Sequence, residues 1–315
     1  MGWSSDDYLL PGDRMPLTNT IKSTLRRAFA AAGYRVRTVP TDRLNPVDLR
    51  DRTNHPSALL YYGNLTAPSV LIDAPVTHGY SLESFDLRTD GNNPFIHAIR
   101  HAHTTDGSER AIRTVLGEYY RSVQPADATE WLGIDPQAAP FLADQPPWAR
   151  IFPWEDDSLR KRRHSVQSKA VAENRRQGRP LTIDDGWKLC GPVSSRFLHL
   201  QAQRLHRLYR SMRDEGYRRH DEVGGDIRAK VLVADNGRWR WLQCGGGFHR
   251  TAVACALGYR ILPVRVWRVI FRRDVDQWPQ VTAGTFTRRG ALQVFDRIVD
   301  GDSPAVCRGW WRHNP

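Results

Sequence analysis

The chain has 315 residues, 40% of them hydrophobic, and carries 46 Lys and Arg against 34 Asp and Glu, a formal charge of +12. That length and apolar content suit one large or two ordinary globular domains with a full core. No run of 18 apolar residues occurs, and Met1-Gly2-Trp3-Ser4-Ser5-Asp6-Asp7 lacks the basic and apolar regions of a signal peptide, which argues against a membrane span and for a soluble, cytoplasmic protein.

The basic balance attracts polyanions, and its surplus is mostly Arg, which suits bidentate phosphate recognition better than Lys. The charge is dispersed along the chain, so it supports a phosphate-bearing ligand without choosing among nucleotide, nucleic acid and phosphosugar. Cys190, Cys244, Cys255 and Cys307 are widely spaced with no C-x-x-C pair, so neither a zinc knuckle nor a disulfide framework is expected.

Residues 1–17 read as an irregular lead-in with Pro11, Gly12 and Pro16. A helix is expected next, capped by Thr18 or Asn19, carrying Ile21, Leu25 and Phe29 on one face and stopped at Gly33. Residues 34–39 alternate as a strand should, and the apolar runs at 58–62 and 70–72 are expected to be further strands. Residues 73–93 are turn-rich. His78, Asp86 and Asp90 within them match no metal spacing and read as loop polarity. A short helix is expected over 94–103, where His97 and His101 share a face as metal ligands do, but Ala98 stands where a metalloprotease helix carries Glu. A second helix over 108–123 places Ile112, Val115, Leu116 and Tyr119 at core spacing, and residues 128–133 suggest another helical turn.

Pro140, Pro146, Pro147 and Pro153 make residues 138–154 the expected boundary between two halves, because proline at that density resists both helix and inner strand. The charged stretch 156–178 follows, with Leu159-Arg160-Lys161-Arg162-Arg163-His164; it reads as a helix with a solvated face, a nucleic-acid contact or a contributor to a phosphate pocket being the alternatives. After Ser194-Ser195 comes a helix with Leu198, Leu205, Leu208, Tyr209 and Met212 on one side and Arg204, Arg207 and Arg210 on the other, ending at Gly216. A final helix is expected near 289–299, and Trp310-Trp311 either dock a partner or pack back.

The most informative stretch is Trp241-Leu242-Gln243-Cys244-Gly245-Gly246-Gly247-Phe248-His249-Arg250-Thr251, a strand that ends in three glycines and leads into a helix closed by Gly258, with a β-branched run after it. Glycines there admit positive φ and leave room for backbone N–H groups to converge on an anion at the positive end of the helix. His249 and Arg250 in the first turn oppose the helix dipole by about 0.3–1 kcal/mol each, a cost that a bound phosphate offsets.

Gly246-Gly247-Phe248-His249-Arg250, the Ala-rich helix, Leu257-Gly258-Tyr259 and Leu262-Pro263-Val264 resemble the signature of the ParB/sulfiredoxin-like fold. The upstream order also fits: Gly191-Pro192-Val193-Ser194, an amphipathic helix, Gly216-Tyr217, a strand at Ile227–Val233 and an Asn236-Gly237 turn. The resemblance covers about residues 190–275. It implies a small mixed sheet with helices, preceded by an α/β region of unassigned type, and the organisation 1–145, 146–189 (linker and basic helix), 190–275 and 276–315 (helical extension). It also implies that Gly245, Gly246, Gly247, His249, Arg250 and Thr251 grip the phosphates of ATP or another nucleoside triphosphate, with Arg250 foremost and Mg²⁺ as companion.

Departures from the family narrow the function. Sulfiredoxins place their reactive Cys directly before the His-Arg pair, where this chain has Phe248, which argues against sulfinic-acid reduction. Partitioning proteins continue into a helix-turn-helix domain, for which fewer than 50 residues remain. The free-serine kinases of the fold carry an essential Glu upstream of the loop, and none aligns here. A phosphoryl-transfer site needs carboxylates, and Glu222 and Asp226 are the candidates, with His249 as a further catalytic group. The expectation is a nucleotide-dependent phosphotransferase acting on a small hydroxyl-bearing acceptor; the alternative is a non-catalytic nucleotide-gated or nucleic-acid-binding module.

Overall fold

The computed structural model describes residues 44–64, 67–176, 178–219 and 225–311. The helix expected after residue 18, the strand expected at 34–39 and the candidate Glu222 lie outside the described residues.

Chain order runs β1 (Val47–Asp48), α1 (Ala58–Tyr62), β2 (Val70–Pro75), β3 (Gly79–Ser81), β4 (Phe85–Asp86), α2 (Pro94–Thr104), α3 (Glu109–Ser122), α4 (Ala128–Leu132), α5 (Pro140–Ala143) and α6 (Leu159–Arg175). It continues through the hairpin β5 (Gly186–Trp187) and β6 (Cys190–Val193), then α7 (Ser195–Glu215), β7 (Ile227–Val233), β8 (Trp239–Gln243), α8 (Phe248–Ala256), β9 (Ile261–Phe271), α9 (Pro279–Thr282) and α10 (Arg288–Asp300). The protein is a mixed α/β protein whose seven-stranded sheet has the order β1-β2-β9-β7-β8-β3-β4. β7 runs parallel to β9 and antiparallel to β8, and β3 runs parallel to β8.

Local chemistry sets the helix ends. Asn93 accepts from the backbone N–H groups of Phe95 and Ile96 with Pro94 at the first helical position, which starts α2. The Ser194 hydroxyl accepts from Phe197 N at the start of α7, and Gly216, at φ 76°, ends it. Alternation along the strands covers both sheet faces. Ile227, Ala229, Val231 and Trp241 meet Phe95, Ile112, Leu116, Leu205, Tyr209 and Val253 of α2, α3, α7 and α8. Leu232, Leu242, Tyr80 and Ile270 meet Trp154, Trp278, Val294, Phe295 and Ile298 on the opposite face. Gly79 is required where β3 crosses the Trp241 ring, since a Cβ there would lie 2.5 Å from the ring.

Two expectations change. Residues 58–62 form the helix α1 rather than a strand: five apolar residues in a row carry no period, and bonds from Ala58, Leu59 and Leu60 N–H back to His55, Pro56 and Ser57 wind the segment up, leaving Tyr61 83% exposed. The proline-rich stretch at 138–154 does not divide the chain into separate sheets, because β2 pairs with β9 and β3 with β8 across it. Pro140 and Pro147 sit at the first positions of short helical turns, where their missing N–H costs little, and Ala138, Ala139, Leu142, Phe152 and Trp154 pack into the second core. Trp310 packs back on Tyr119 and donates to the Asn92 carbonyl at 2.9 Å.

Candidate functional site

The glycine loop leaves β8 and enters α8 as expected, with Gly245 at φ 94° and Gly247 at φ 89°. Gly247 is the residue before the first turn and offers no side-chain cap, so the first N–H groups of α8 have no intrahelical acceptor. Gln243, buried at the end of β8, holds the loop: its amide nitrogen donates to the Gly246 carbonyl and to the Thr251 hydroxyl, each at 3.1 Å, while its oxygen accepts from Ser81 at 2.7 Å.

The expected phosphate ligands do not converge. Gly245 borders a cavity, whereas Gly246 and Gly247 do not line it. Thr251 is fully buried under Gln243. The Arg250 guanidinium turns away from the cavity and donates to the Gly225 carbonyl, beside Tyr217. Asp226 is paired with Arg219 at 2.8 Å and lies 4.0 Å from the buried Arg265, which anchors the Ser69 hydroxyl and the Leu44 carbonyl. His249 is buried against Phe95, with ring centroids 5.0 Å apart, and its Nε2 lies 2.8 Å from Gln201 Oε1, which requires the proton on Nε2. Burial, reinforced by Arg204, pushes its imidazole well below the usual range, so it is neutral. On α2, where the histidine spacing only resembled that of metal ligands, His97 stacks on Trp311 and His103 Nδ1 lies 2.9 Å from the Tyr209 hydroxyl.

The cavity, about 180 Å³, opens where β8 meets the glycine loop and is walled by α6, the β5–β6 hairpin and the first turns of α7. Six cationic side chains line it, Arg150, Arg162, Lys169, Lys188, Arg204 and Lys230, against three carboxylates, Glu83, Glu155 and Glu173. Each carboxylate is committed. Glu83 holds Arg150 through its Nε and Nη2. Glu173 accepts from Arg204 Nη2 at 2.6 Å and Lys188 Nζ at 3.1 Å, and Glu155 accepts from Lys230 Nζ at 2.8 Å. Burial raises the Glu173 carboxyl, but Lys188 and Arg204 outweigh it and hold the group at about 2.

Of the five guanidinium nitrogens that are buried without a hydrogen-bond partner among the described residues, three belong to side chains that line the cavity, Arg150 Nη1, Arg162 Nε and Arg204 Nη1; the other two are on Arg297, away from it. Among the described residues Arg162 has no carboxylate partner, and burial pushes it down to about 10. Burial and the neighbouring Arg162 likewise lower Lys169. A buried unpaired donor costs roughly 1–3 kcal/mol, more when charged, so three at one cavity describe a site built for an anion. Cys244 at the lip is no reactive thiolate, because burial pushes its thiol up.

No family model, curated protein or solved structure matches the chain. The site therefore rests on its own geometry. Reading the sequence did not single out Arg150, Arg204, Lys188, Lys230 or Glu83, since they come from five separate segments. One signal was present: Arg162, Val166, Lys169 and Glu173 recur at three- and four-residue steps along α6, which puts them on a single face, and all four line the cavity.

Proposed function

We propose that the cavity binds the phosphate groups of a nucleoside triphosphate and that the protein transfers the terminal phosphoryl group to a small hydroxyl-bearing acceptor in the cytoplasm. The observation that carries the binding half is the convergence of Arg150 Nη1, Arg162 Nε and Arg204 Nη1, all buried and without an acceptor, on a cavity with three more cations than carboxylates. Charge-assisted hydrogen bonds to a phosphate contribute about 1.5–3 kcal/mol each and relieve the burial of these groups. The uncapped start of α8 beside Gly245 adds the positive end of a helix to the same rim. In transfer, the bond from the terminal phosphorus to the leaving diphosphate breaks, a bond to the acceptor oxygen forms, and the hydroxyl proton leaves to solvent. Fixed cations around the reacting phosphate stabilise the charge on its oxygens, which is most of what such catalysis asks of a protein.

Among the described residues no three His, Cys, Asp or Glu converge as metal ligands would, and Glu83, Glu155 and Glu173 are each held by a cationic side chain. The order of hairpin, helix, strand, turn, strand, glycine loop, helix and strand over 186–271 supports the ParB/sulfiredoxin-like reading.

Arg162→Met gives the sharpest test. It removes a half-buried cation whose Nε is buried without a partner, so it raises the thermal unfolding midpoint while weakening ATP, CTP, GTP or ADP binding by roughly ten- to a hundredfold in calorimetry. Unchanged nucleotide affinity in this variant, or no saturable binding to the wild type, overturns the proposal.

A further inference from the structure

Trp267 is 39% exposed although it belongs to β9, a strand paired on both sides over most of the sheet. Two features of the backbone account for this. Pairing with β2 stops at Val266, opposite Val70, so among the described residues β9 is an edge from that point on. Pairing with β7 skips Trp267: Ala229 faces Val266 and Lys230 faces Arg268, which leaves Trp267 as the extra residue of a bulge. Such bulges re-aim one side chain and recur beside functional sites.

Here the bulge aims the indole at the cavity rim. Its Nε1 donates to Cys244 Sγ at 3.1 Å, and Cys244 lines the cavity next to Gly245. Lys230, also of the cavity wall, lies 5.4 Å from the ring centroid, and the Arg228 guanidinium lies at 5.8 Å. The indole is thus pinned at its edge with both cations over its ring, and it still leaves 39% of its surface exposed; Gly245, next to Cys244, is exposed and carries no side chain to cover it. An exposed Trp fixed in this way loses little freedom when a flat ring settles on it.

We infer that Trp267 is a stacking platform for the nucleobase of a ligand whose phosphates enter the cavity across the glycine loop. This rests on the phosphate-binding reading and adds a subsite to it: the cavity takes the charge, and the bulged indole selects a nucleotide over a phosphosugar or an inorganic polyphosphate. Stacking on an indole depends on the π-face common to all bases, so the platform favours nucleotides as a class over any one base.

The test compares ATP with inorganic tripolyphosphate, which has the charge and no ring, by calorimetry on the wild type, Trp267→Ala and Trp267→Phe. The expected result is ATP binding weakened roughly ten- to a hundredfold by Trp267→Ala and largely restored by Trp267→Phe, with tripolyphosphate affinity the same in all three. Equal loss of both ligands in Trp267→Ala would make the indole a structural support of the cavity and overturn the inference. ATP affinity unchanged in Trp267→Ala also overturns it, and tripolyphosphate binding then leaves the phosphate reading standing. If neither ligand binds the wild type, the phosphate reading itself fails.

Discussion

Arg204 shows how a carboxylate in this cavity acts on a neighbour rather than on a ligand. Glu173 occupies Nη2 of the guanidinium at 2.6 Å and thereby fixes the plane in which the unpartnered Nη1 lies; Glu83 does the same for Arg150 through Nε and Nη2. A bidentate or pinned Arg loses less freedom on meeting phosphate than a free one, which favours Arg over Lys at these positions. His249 belongs to the support of this arrangement, through Gln201 and its stack on Phe95, and stays neutral in the fold. The unfolded chain takes up a proton at this residue near the usual 6.5. Below that pH the unfolded state therefore binds more protons than the folded one, and stability falls by about 1.4 kcal/mol per pH unit from this group until its folded-state titration is reached. Denaturant midpoints between pH 7.5 and 5 should show this slope in the wild type and a shallower one in His249→Gln. Equal slopes would mean that His249 is charged in the fold. Arg250, which the glycine-loop motif puts foremost, donates to the Gly225 carbonyl, so its side chain supports the segment after Gly216 rather than the cavity.

At the scale of elements, α6 is set apart from the rest of the fold. It buries only Asn174, whose amide donates to the Leu181 carbonyl at 3.1 Å, and it packs on the short turns at Pro147–Ala149 and Ile183–Asp185 rather than on the sheet. It contributes cavity wall, not core. Proline in a helix interior costs about 3 kcal/mol, so Ala170→Pro should melt α6 and remove nucleotide binding while the sheet's unfolding midpoint shifts little. A fall in that midpoint comparable to a core truncation would show that α6 holds the fold together. How far the sequence revealed each element follows from the same contrast. α7 was legible to the residue at its end, Gly216, and to within a residue at its start, because Leu205, Tyr209 and Met212 carry a clear period between Ser194 and Gly216. β7 was legible for its β-branched run, bounded by Gly225 and the Asn236-Gly237 turn. α1 was misread because five apolar residues in a row suit a helix or a strand alike. The purpose of α6 was hidden because both its faces are polar, so the face lining the cavity carries no hydrophobic contrast with the face in water. Arg204 likewise looks no different in sequence from Arg207 and Arg210, and only the packing of α7 against the β5–β6 side of the cavity tells them apart.

Across the whole molecule, the two halves suggested by the prolines share one sheet and two cores. β2 supplies a partner for β9, β3 and β4 extend the sheet beyond β8, and residues 138–154 fill the face opposite α2 and α3. Fragments 1–145 and 146–315 expressed apart should therefore lack cooperative unfolding by circular dichroism, each exposing an unpaired sheet edge. A cooperative transition in either fragment would restore the boundary to a true domain junction. The shared sheet also explains how Glu83, from the β3–β4 hairpin, reaches a cavity whose other walls come from 150–248. The sequence displays the glycine loop, and the cavity which that loop borders is assembled only by the fold. The most direct measurement is an experimental structure of the wild-type protein with a non-hydrolysable ATP analogue. The account predicts phosphate oxygens within hydrogen-bond distance of Arg150 Nη1, Arg162 Nε and Arg204 Nη1, under α6; phosphates held instead at Arg250, with the cavity carrying water alone, would contradict it.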